Sequence, residues 1–166
     1  MTVDMLKRVA MYIALCLAQV LILNHIHLFD VAIPLLYVYF VVSFRRGTPK
    51  WIILLWGFFM GLTVDVFVNT PGLAASTMTL IAFIQPYLLE LFVPRDSPDN
   101  MEASLSALGF SKYSTFASIL VLLYCVVFFA LEAFNFFNVL MWLEHAMASS
   151  GLTLLLIFAI ESVRSK

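Results

Sequence analysis

Long apolar runs separated by short polar connections dominate this chain. An α-helix needs about 20 predominantly apolar residues to cross the hydrocarbon core of a bilayer. The pattern therefore predicts an all-α integral membrane protein with about six transmembrane helices, in a single domain over residues 1–166. The predicted spans are roughly 9–26, 28–44, 51–68, 72–93, 114–134 and 147–163.

Prolines and polar clusters mark the ends and weak points of these spans. The second span, 28–44, contains Pro34 and would reach only about 25 Å as a helix, so we expect it to be short. Pro86 removes a backbone donor inside the fourth span and is expected to kink it. A compact turn is predicted at 69–72, and the longest polar stretch, 94–113, has room for a short amphipathic helix near 100–108.

The basic residues divide the connections into two kinds. The connections at 24–30, 69–72 and 135–146 contain no Lys or Arg, whereas the others do. Because short basic loops stay in the cytoplasm, this alternation predicts that both ends of the chain are cytoplasmic. The 135–146 connection is rich in Phe and Trp and is expected to lie in the outer interface as an aromatic belt. The basic residues are Lys7, Arg8, Arg45, Arg46, Lys50, Arg95, Lys112, Arg164 and Lys166.

The composition excludes an ordinary soluble domain. Hydrophobic residues make up 63% of the chain and charged residues 11%, with a mean hydropathy of +1.03. A domain of this size has too little interior to bury so much apolar surface away from water. The net charge of −1 provides no basic field for nucleic acid.

Asp65 is the most informative polar residue inside a predicted span, because a carboxylate at membrane depth is costly and normally faces protein or water. Gly57, Gly61 and Asp65 recur every four residues and share one helix face. Since glycines allow helix backbones to approach closely, we expect Asp65 to point into a helix–helix contact. It is either an ion or proton site or, as we favour, a structural tie to a neighbouring helix or to the turn at 69–72.

Three further polar features lie in the apolar runs. Gln19 in span one and Gln85 in span four are interpreted as packing groups. The carbonyl freed by Pro86 is a possible partner for Gln85 or for another helix. Glu132, near the outer end of span five, is expected at the interface, with a cation or proton site shared with Asp65 as the alternative.

No pattern points to enzyme chemistry, a cofactor or a metal. The chain has no nucleophile paired with a base and no phosphate-cradling glycine loop. His25, His27 and His145 are interpreted as interfacial, since a His-x-His pair needs a third ligand. Cys16 and Cys125 lie inside apolar runs and are interpreted as small buried hydrophobic residues.

Small and acidic residues near the span ends complete the polar inventory. The small residues at 149–153 in span six favour helix packing. Glu90, Glu144 and Glu161 lie near span ends and are interpreted as interfacial charges.

The centre of the chain contains a Gly-x-x-x-Asp-x-Phe segment followed by Thr-Pro-Gly, here Gly61, Asp65, Phe67, Thr70, Pro71 and Gly72. This segment resembles the rod-shape-determining protein MreD family. Gln19 and the stretch 34–40 also fit, as do length and topology, so the resemblance covers essentially the whole chain. It is closest to the Bacteroidota-type members. Gln85 stands where family members often have Arg, which puts in doubt any role for a positive charge there. The central Gly-x-x-x-Asp-x-Phe and Thr-Pro-Gly segment is the most specific part of the resemblance.

The resemblance implies a non-enzymatic subunit of the bacterial cell-elongation complex in the cytoplasmic (inner) membrane, which supports peptidoglycan synthesis and cell shape. The implied partner is MreC, whose single span leads to a periplasmic domain. The actin-like MreB, the glycosyltransferase RodA and the transpeptidase partner of RodA are implied alongside it. The implied fold is similar to that of the substrate-binding subunits of energy-coupling-factor transporters.

The residues agree most simply with an intramembrane adaptor. Two alternatives remain: a small-molecule transporter subunit, suggested by the shared fold, and a proton-coupled channel component, suggested by Asp65 and Glu132. A central cavity lined by polar groups would favour the transporter. A collapsed interior with an exposed apolar groove would favour the adaptor.

Overall fold

The structure is a computed structural model that describes residues 2–22, 25, 33–133 and 138–164. The described chain is helical, and five of its helices are long and apolar enough to cross a membrane. The protein is therefore an all-α membrane protein. Its helices are α1 (Thr2–Leu17, continued by a π-helical turn at Ala18–Ile22), α2 (Val38–Val42), α3 (Lys50–Val68), α4 (Leu73–Phe92), α5 (Leu105–Leu108), α6 (Phe110–Ala133) and α7 (Val139–Arg164).

Three of the long helices agree with predicted spans at both ends, and a fourth begins earlier than predicted. α3, α4 and α6 coincide with the predicted spans three to five to within a few residues, and α1 begins seven residues before the predicted position 9. α7 begins at Val139, so the prediction of a connection over 135–146 is wrong for its described part beyond residue 138. Residues 139–146 contain neither Gly nor Pro to end a helix. The remainder of that predicted aromatic belt, at 134–137, lies outside the described residues.

The second predicted span differs most from expectation. Of its described residues only Val38–Val42 form an α-helix, and residues 33–37 are not helical, so a helix over all of 28–44 is wrong. Residues 28–32 lie outside the described part. Pro34 has no backbone donor and disfavours helical geometry in the residue before it. Residues 34–44 are nevertheless all buried, which places this irregular segment in the interior.

The long helices surround that segment. α3 and α4 form a helical hairpin, α4 also packs on α6, and α6 pairs with α7. The short helix α2 contacts α3, α4 and α6. Tyr37, at the start of α2, and Tyr124 of α6 are buried and share a hydrogen bond between their hydroxyl groups.

One end of the bundle, which we call the basic end, joins four distant parts of the chain through Asp4, Arg45, Glu102 and Arg164. Arg45 forms ion pairs with Asp4 at 3.2 Å and with Glu102 at 2.6 Å, and Arg164 also pairs with Glu102. An isolated β-bridge joins the backbones of Arg45 and Glu102. The hydrogen bond that Arg45 donates to the Glu102 carboxylate raises the pKa of Arg45, which keeps this guanidinium charged.

The 94–113 stretch is fixed against the basic end. The Arg46 guanidinium donates to the Ser97 carbonyl at 3.0 Å. The predicted short helix forms at Leu105–Leu108, where the Ser104 hydroxyl caps it by accepting from the Ala107 amide at 3.3 Å.

Candidate functional site

Gly57 and Gly61 bring α3 into close contact with α4. A Cβ on Gly61 would lie 2.5 Å from the Ala74 carbonyl oxygen and from Ala75 Cα, and a Cβ on Gly57 would lie 2.8 Å from Ala82 Cβ. These distances are too short for any side chain. The glycine face therefore packs against α4, with Gly61 opposite the first turn of that helix.

Asp65 follows on the same face and caps the N-terminus of α4. Its side chain is only 3% exposed. One carboxylate oxygen accepts from the Ala74 amide at 2.8 Å and from the Thr70 hydroxyl at 2.9 Å, and the other accepts from the Ala75 amide at 2.8 Å. The first amides of a helix lack partners inside the helix, and the helix dipole favours a negative charge there. Asp65 thus ties α3 to both the turn and the neighbouring helix.

The turn between α3 and α4 needs two left-handed residues. Asn69 has φ 62° and Gly72 has φ 81°. The Asp65 carbonyl accepts from the amides of Asn69 and Thr70, so the same residue ends one helix and caps the next. Pro71 and Gly72 are exposed at the tip, where they shape the turn rather than pack in the interior.

Gln19 binds the non-helical segment with both ends of its amide. Its nitrogen donates to the Pro34 carbonyl at 2.8 Å and its oxygen accepts from the Leu36 amide at 3.0 Å. Non-helical backbone inside a membrane protein is tolerated only where its polar groups find partners. Gln19 is 2% exposed and provides two of these partners from the π-helical turn that ends α1.

Ser149 and Thr153 of α7 provide two more hydrogen-bond partners for the non-helical backbone. The Ile33 amide donates to the Ser149 hydroxyl and the Leu35 amide to the Thr153 hydroxyl, both at 3.1 Å. These residues were interpreted from the sequence as helix-packing groups; their hydroxyls instead accept hydrogen bonds from an irregular backbone. Nothing in the spacing of 149–153 indicated that, because the donors lie more than 100 residues away along the chain.

Gln85 binds the other end of the 33–44 segment. Its nitrogen donates to the Phe44 carbonyl at 3.3 Å, and its oxygen has no partner among the described residues. Gln85 therefore binds the Phe44 carbonyl and not, as the sequence allowed, the carbonyl freed by Pro86. α4 continues through Pro86 as one helix to Phe92.

Glu161 is a buried carboxylate that joins separate parts of the fold, a role that the sequence did not indicate. Its interpretation as an interfacial charge is wrong, because it is only 1% exposed. One oxygen accepts from the Tyr39 hydroxyl at 2.6 Å and the other from the Leu105 amide at 3.2 Å. Glu90 and Glu144 are exposed, as expected from their positions.

Glu132 lies at the end of the bundle opposite the basic end. The residue is exposed, and it borders both an open pocket of about 410 Å³ with Trp142 and His145 and a cavity of about 60 Å³ with Gln19 and Thr70. Within the described residues, no hydrogen bond or ion pair joins Glu132 to Asp65; Thr70 and Ala74, which both bind the Asp65 carboxylate, line the same cavity as Glu132.

In the described part of the chain, no group of three or more His, Cys, Asp or Glu side chains is placed to hold a metal ion. His25 is exposed and His27 lies outside the described residues. The His145 ring packs edge-on against Phe129 with ring centroids 6.1 Å apart. Cys16 and Cys125 are buried in different helices.

The cavity beside Gln19 in the described part of the chain is too small for a typical ligand, and the exterior carries an apolar groove. The 60 Å³ cavity is far below the ~300 Å³ lower limit of small-molecule pockets. By contrast, Tyr12, Leu55, Trp56 and Phe59 line an open apolar groove of about 430 Å³ between α1 and α3. The Tyr12 hydroxyl joins the two helices of this groove by donating to the Phe59 carbonyl at 3.0 Å.

These contacts define an all-α, multi-pass membrane protein in which the buried side chains of Gln19, Asp65, Ser149 and Thr153 bind the protein's own backbone. In comparisons with known proteins, the chain matches no family model, no curated protein and no solved structure.

Proposed function

We propose that this protein is a non-enzymatic intramembrane adaptor of the MreD type, which binds the single transmembrane helix of MreC. The observation that carries the proposal is the use of the buried polar groups. Gln19, Asp65, Ser149 and Thr153 all bind the backbone of the chain itself, which leaves them unavailable to a ligand. The resemblance in the sequence supplies the identity of the partner, and with it MreB, RodA and the RodA-associated transpeptidase as further members of the complex in the bacterial inner membrane.

The proposed topology has six passes with both ends in the cytoplasm. The contacts among Asp4, Arg45, Glu102 and Arg164 support it, because they join both ends of the chain and two connections at one end of the bundle. The 33–44 segment would be the second pass. It follows α7 from Ser149 to Glu161, a rise of about 18 Å, and is therefore shorter than the ~30 Å hydrocarbon core.

A collapsed interior and an exposed groove support the adaptor over the alternatives. Asp65, the strongest candidate for proton or ion traffic, already accepts three hydrogen bonds from its own chain. The apolar groove between α1 and α3 offers packing surface to another helix, and close packing drives helix association in lipid. A fold similar to energy-coupling-factor substrate-binding subunits remains part of the proposal.

The transporter alternative has one observation in its favour. The open pocket beside Glu132, Trp142 and His145 has a volume of about 410 Å³, within the range of small-molecule sites. A ligand-binding role for that pocket predicts that Trp142→Ala alters growth on a limiting nutrient while association with MreC is retained.

Cysteine crosslinking tests the adaptor directly. Single cysteines at Leu55 and Phe59, both exposed beside the groove, are paired with cysteines along the MreC span in native membranes, and Leu155 on α7 serves as an exposed control. We expect crosslinks at the groove that recur every three to four residues along MreC, and few from Leu155. If the MreC span can be replaced by an unrelated helix without loss of association, the adaptor proposal is wrong.

Reporter fusions test the topology separately. Fusions after residues 47 and 105 are expected to report cytoplasm, and fusions after 70 and 138 the exterior. A reversed reporter at either of the first two positions, in an otherwise stable chain, contradicts the proposed orientation.

A further inference from the structure

A pocket at the basic end of the bundle carries a surplus of positive charge. We infer that this pocket binds the phosphate group of an anionic phospholipid headgroup. Its volume is about 80 Å³, which suits one small ionic group and not a nucleotide-sized ligand. It is lined by four basic and two acidic side chains, Lys7, Arg8, Arg45, Arg164, Asp4 and Glu102.

The surplus charge lies on α1. Arg45 and Arg164 are already engaged by the two acidic side chains of the pocket. Lys7 and Arg8, in contrast, form no hydrogen bond or ion pair with any residue in the described part of the chain. Two cations that form no ion pair within the described residues face the same pocket, and an anion placed there would be held by both.

Arg8 is held in position for such an anion. Its guanidinium lies over the Phe44 ring, 4.5 Å from the ring centroid, and a cation–π contact of this kind orients the group without neutralising its charge. Arginine binds phosphate through a planar fork of donors, and lysine adds a point charge. The pocket thus combines one oriented and one flexible donor group.

The surface next to the pocket favours a lipid as the source of the phosphate. Leu6 is 70% exposed, and Met5 and Val9 on the same helix are also exposed. These apolar side chains flank Lys7 and Arg8 on a helix that is apolar enough to span the membrane. Acyl chains could lie along α1 while the phosphate occupies the pocket, and basic pockets between transmembrane helices are known to bind anionic headgroups in this way. A soluble phosphate would leave the apolar surface unused.

Lipid retention by the intact purified protein tests the inference. The protein is placed in nanodiscs of phosphatidylcholine with a minor fraction of phosphatidylglycerol, and bound lipids are counted by native mass spectrometry after release. We expect the wild type to retain phosphatidylglycerol and the double variant Lys7→Gln/Arg8→Gln to bind it roughly 30-fold more weakly, since each basic residue near the surface contributes ~1 kcal/mol.

The matched control removes the same charge elsewhere. Arg95 and Lys112 lie in or beside the 94–113 stretch, are exposed, and do not line the pocket. The variant Arg95→Gln/Lys112→Gln is expected to retain phosphatidylglycerol like the wild type. Equal loss in both double variants would mean that general surface charge holds the lipid, which overturns the inference.

Two further measurements separate folding and ligand source. Because Lys7 is exposed and has no described partner, the single variant Lys7→Gln should fold normally and still lose part of the retention. Soluble glycerol 3-phosphate is tested in phosphatidylcholine nanodiscs. If it binds with the same dependence on Lys7 and Arg8 while phosphatidylglycerol is not preferred, the pocket binds phosphate from a soluble source. If neither probe binds the wild type, the inference is wrong.

Discussion

The α3–α4 hairpin and the 33–44 segment both place polar groups inside the bundle, but they satisfy them over different distances along the chain. In the hairpin, Asp65 reaches partners five to ten residues away. In the 33–44 segment, the partners Gln19, Gln85 and Thr153 lie 17, 41 and 118 residues away. The polar groups of the hairpin turn are therefore satisfied within the hairpin itself, whereas those of the 33–44 segment are satisfied by Gln19, Gln85 and Thr153 from three other helical elements.

This difference suggests an order of assembly and an order of sensitivity. The hairpin provides a preformed wall against which the irregular segment packs, since α2 contacts both α3 and α4. Damage to the hairpin should remove the support for the remainder of the interior. Damage to a single partner of the 33–44 segment should cost less, because several helices share the task.

The largest effect is expected for Gly61→Leu. A Cβ there would lie 2.5 Å from two backbone atoms of α4, and backbone cannot move aside as a flexible side chain can. We expect a loss of more than about 3 kcal/mol in the free energy of unfolding, measured by SDS-induced unfolding followed by tryptophan fluorescence. Leu62→Phe, at an exposed neighbouring position, should unfold like the wild type. Equal tolerance of both changes would contradict the close contact.

Asp65→Ala is expected to cause the second-largest loss in the free energy of unfolding. It leaves the Ala74 and Ala75 amides buried without their acceptors, at a cost of about 2–3 kcal/mol. Thr70→Val removes only one of the three donors to the carboxylate and should cost about 1 kcal/mol. The same unfolding assay compares them. A proton-site role for Asp65 would instead predict normal stability for both variants with altered proton uptake, and that result would reject the capping role.

Gln19→Leu sharpens the comparison from the side of the irregular segment. The substitution removes a donor and an acceptor at once, and we expect a loss of about 2 kcal/mol. Gln85→Leu removes one long hydrogen bond of 3.3 Å, and the amide oxygen is already without a partner among the described residues, so its cost should be below about 1 kcal/mol. A larger effect at Gln85 than at Gln19 would mean that the 33–44 segment is held mainly from its Phe44 end.

Thr153→Val is expected to have a small effect on the free energy of unfolding. The change keeps the shape of the side chain but removes the acceptor for the Leu35 amide, for a loss of about 0.6–1 kcal/mol, as is usual for interhelical hydrogen bonds in membranes. Thr115 provides a matched control, because its hydroxyl makes the same type of bond to the carbonyl four residues earlier but lies exposed on α6. Thr115→Val should change the stability less than Thr153→Val.

The hairpin could be predicted because its signals are local. A glycine every four residues, followed by Asp and a Thr-Pro-Gly turn, specifies a close helix pair and a cap within about 20 residues of sequence. The long helices could be predicted for a similar reason, since lipid requires a continuous apolar run for each one. The α7 boundary was missed because aromatic residues suit both an interface and a helix.

The tertiary structure alone decided what the interior polar residues do. Gln19, Ser149 and Thr153 look like ordinary packing residues until the backbone of 33–37 is seen to lie beside them without helical hydrogen bonds. Glu161 looks interfacial until Tyr39 and the Leu105 amide cover it. The sequence by itself determined that the chain spans a membrane with helices, because each helix that crosses the lipid requires a continuous apolar run. Which backbone group each buried polar side chain must satisfy depends on neighbours up to 118 residues away, and that pairing exists only once the helices have packed.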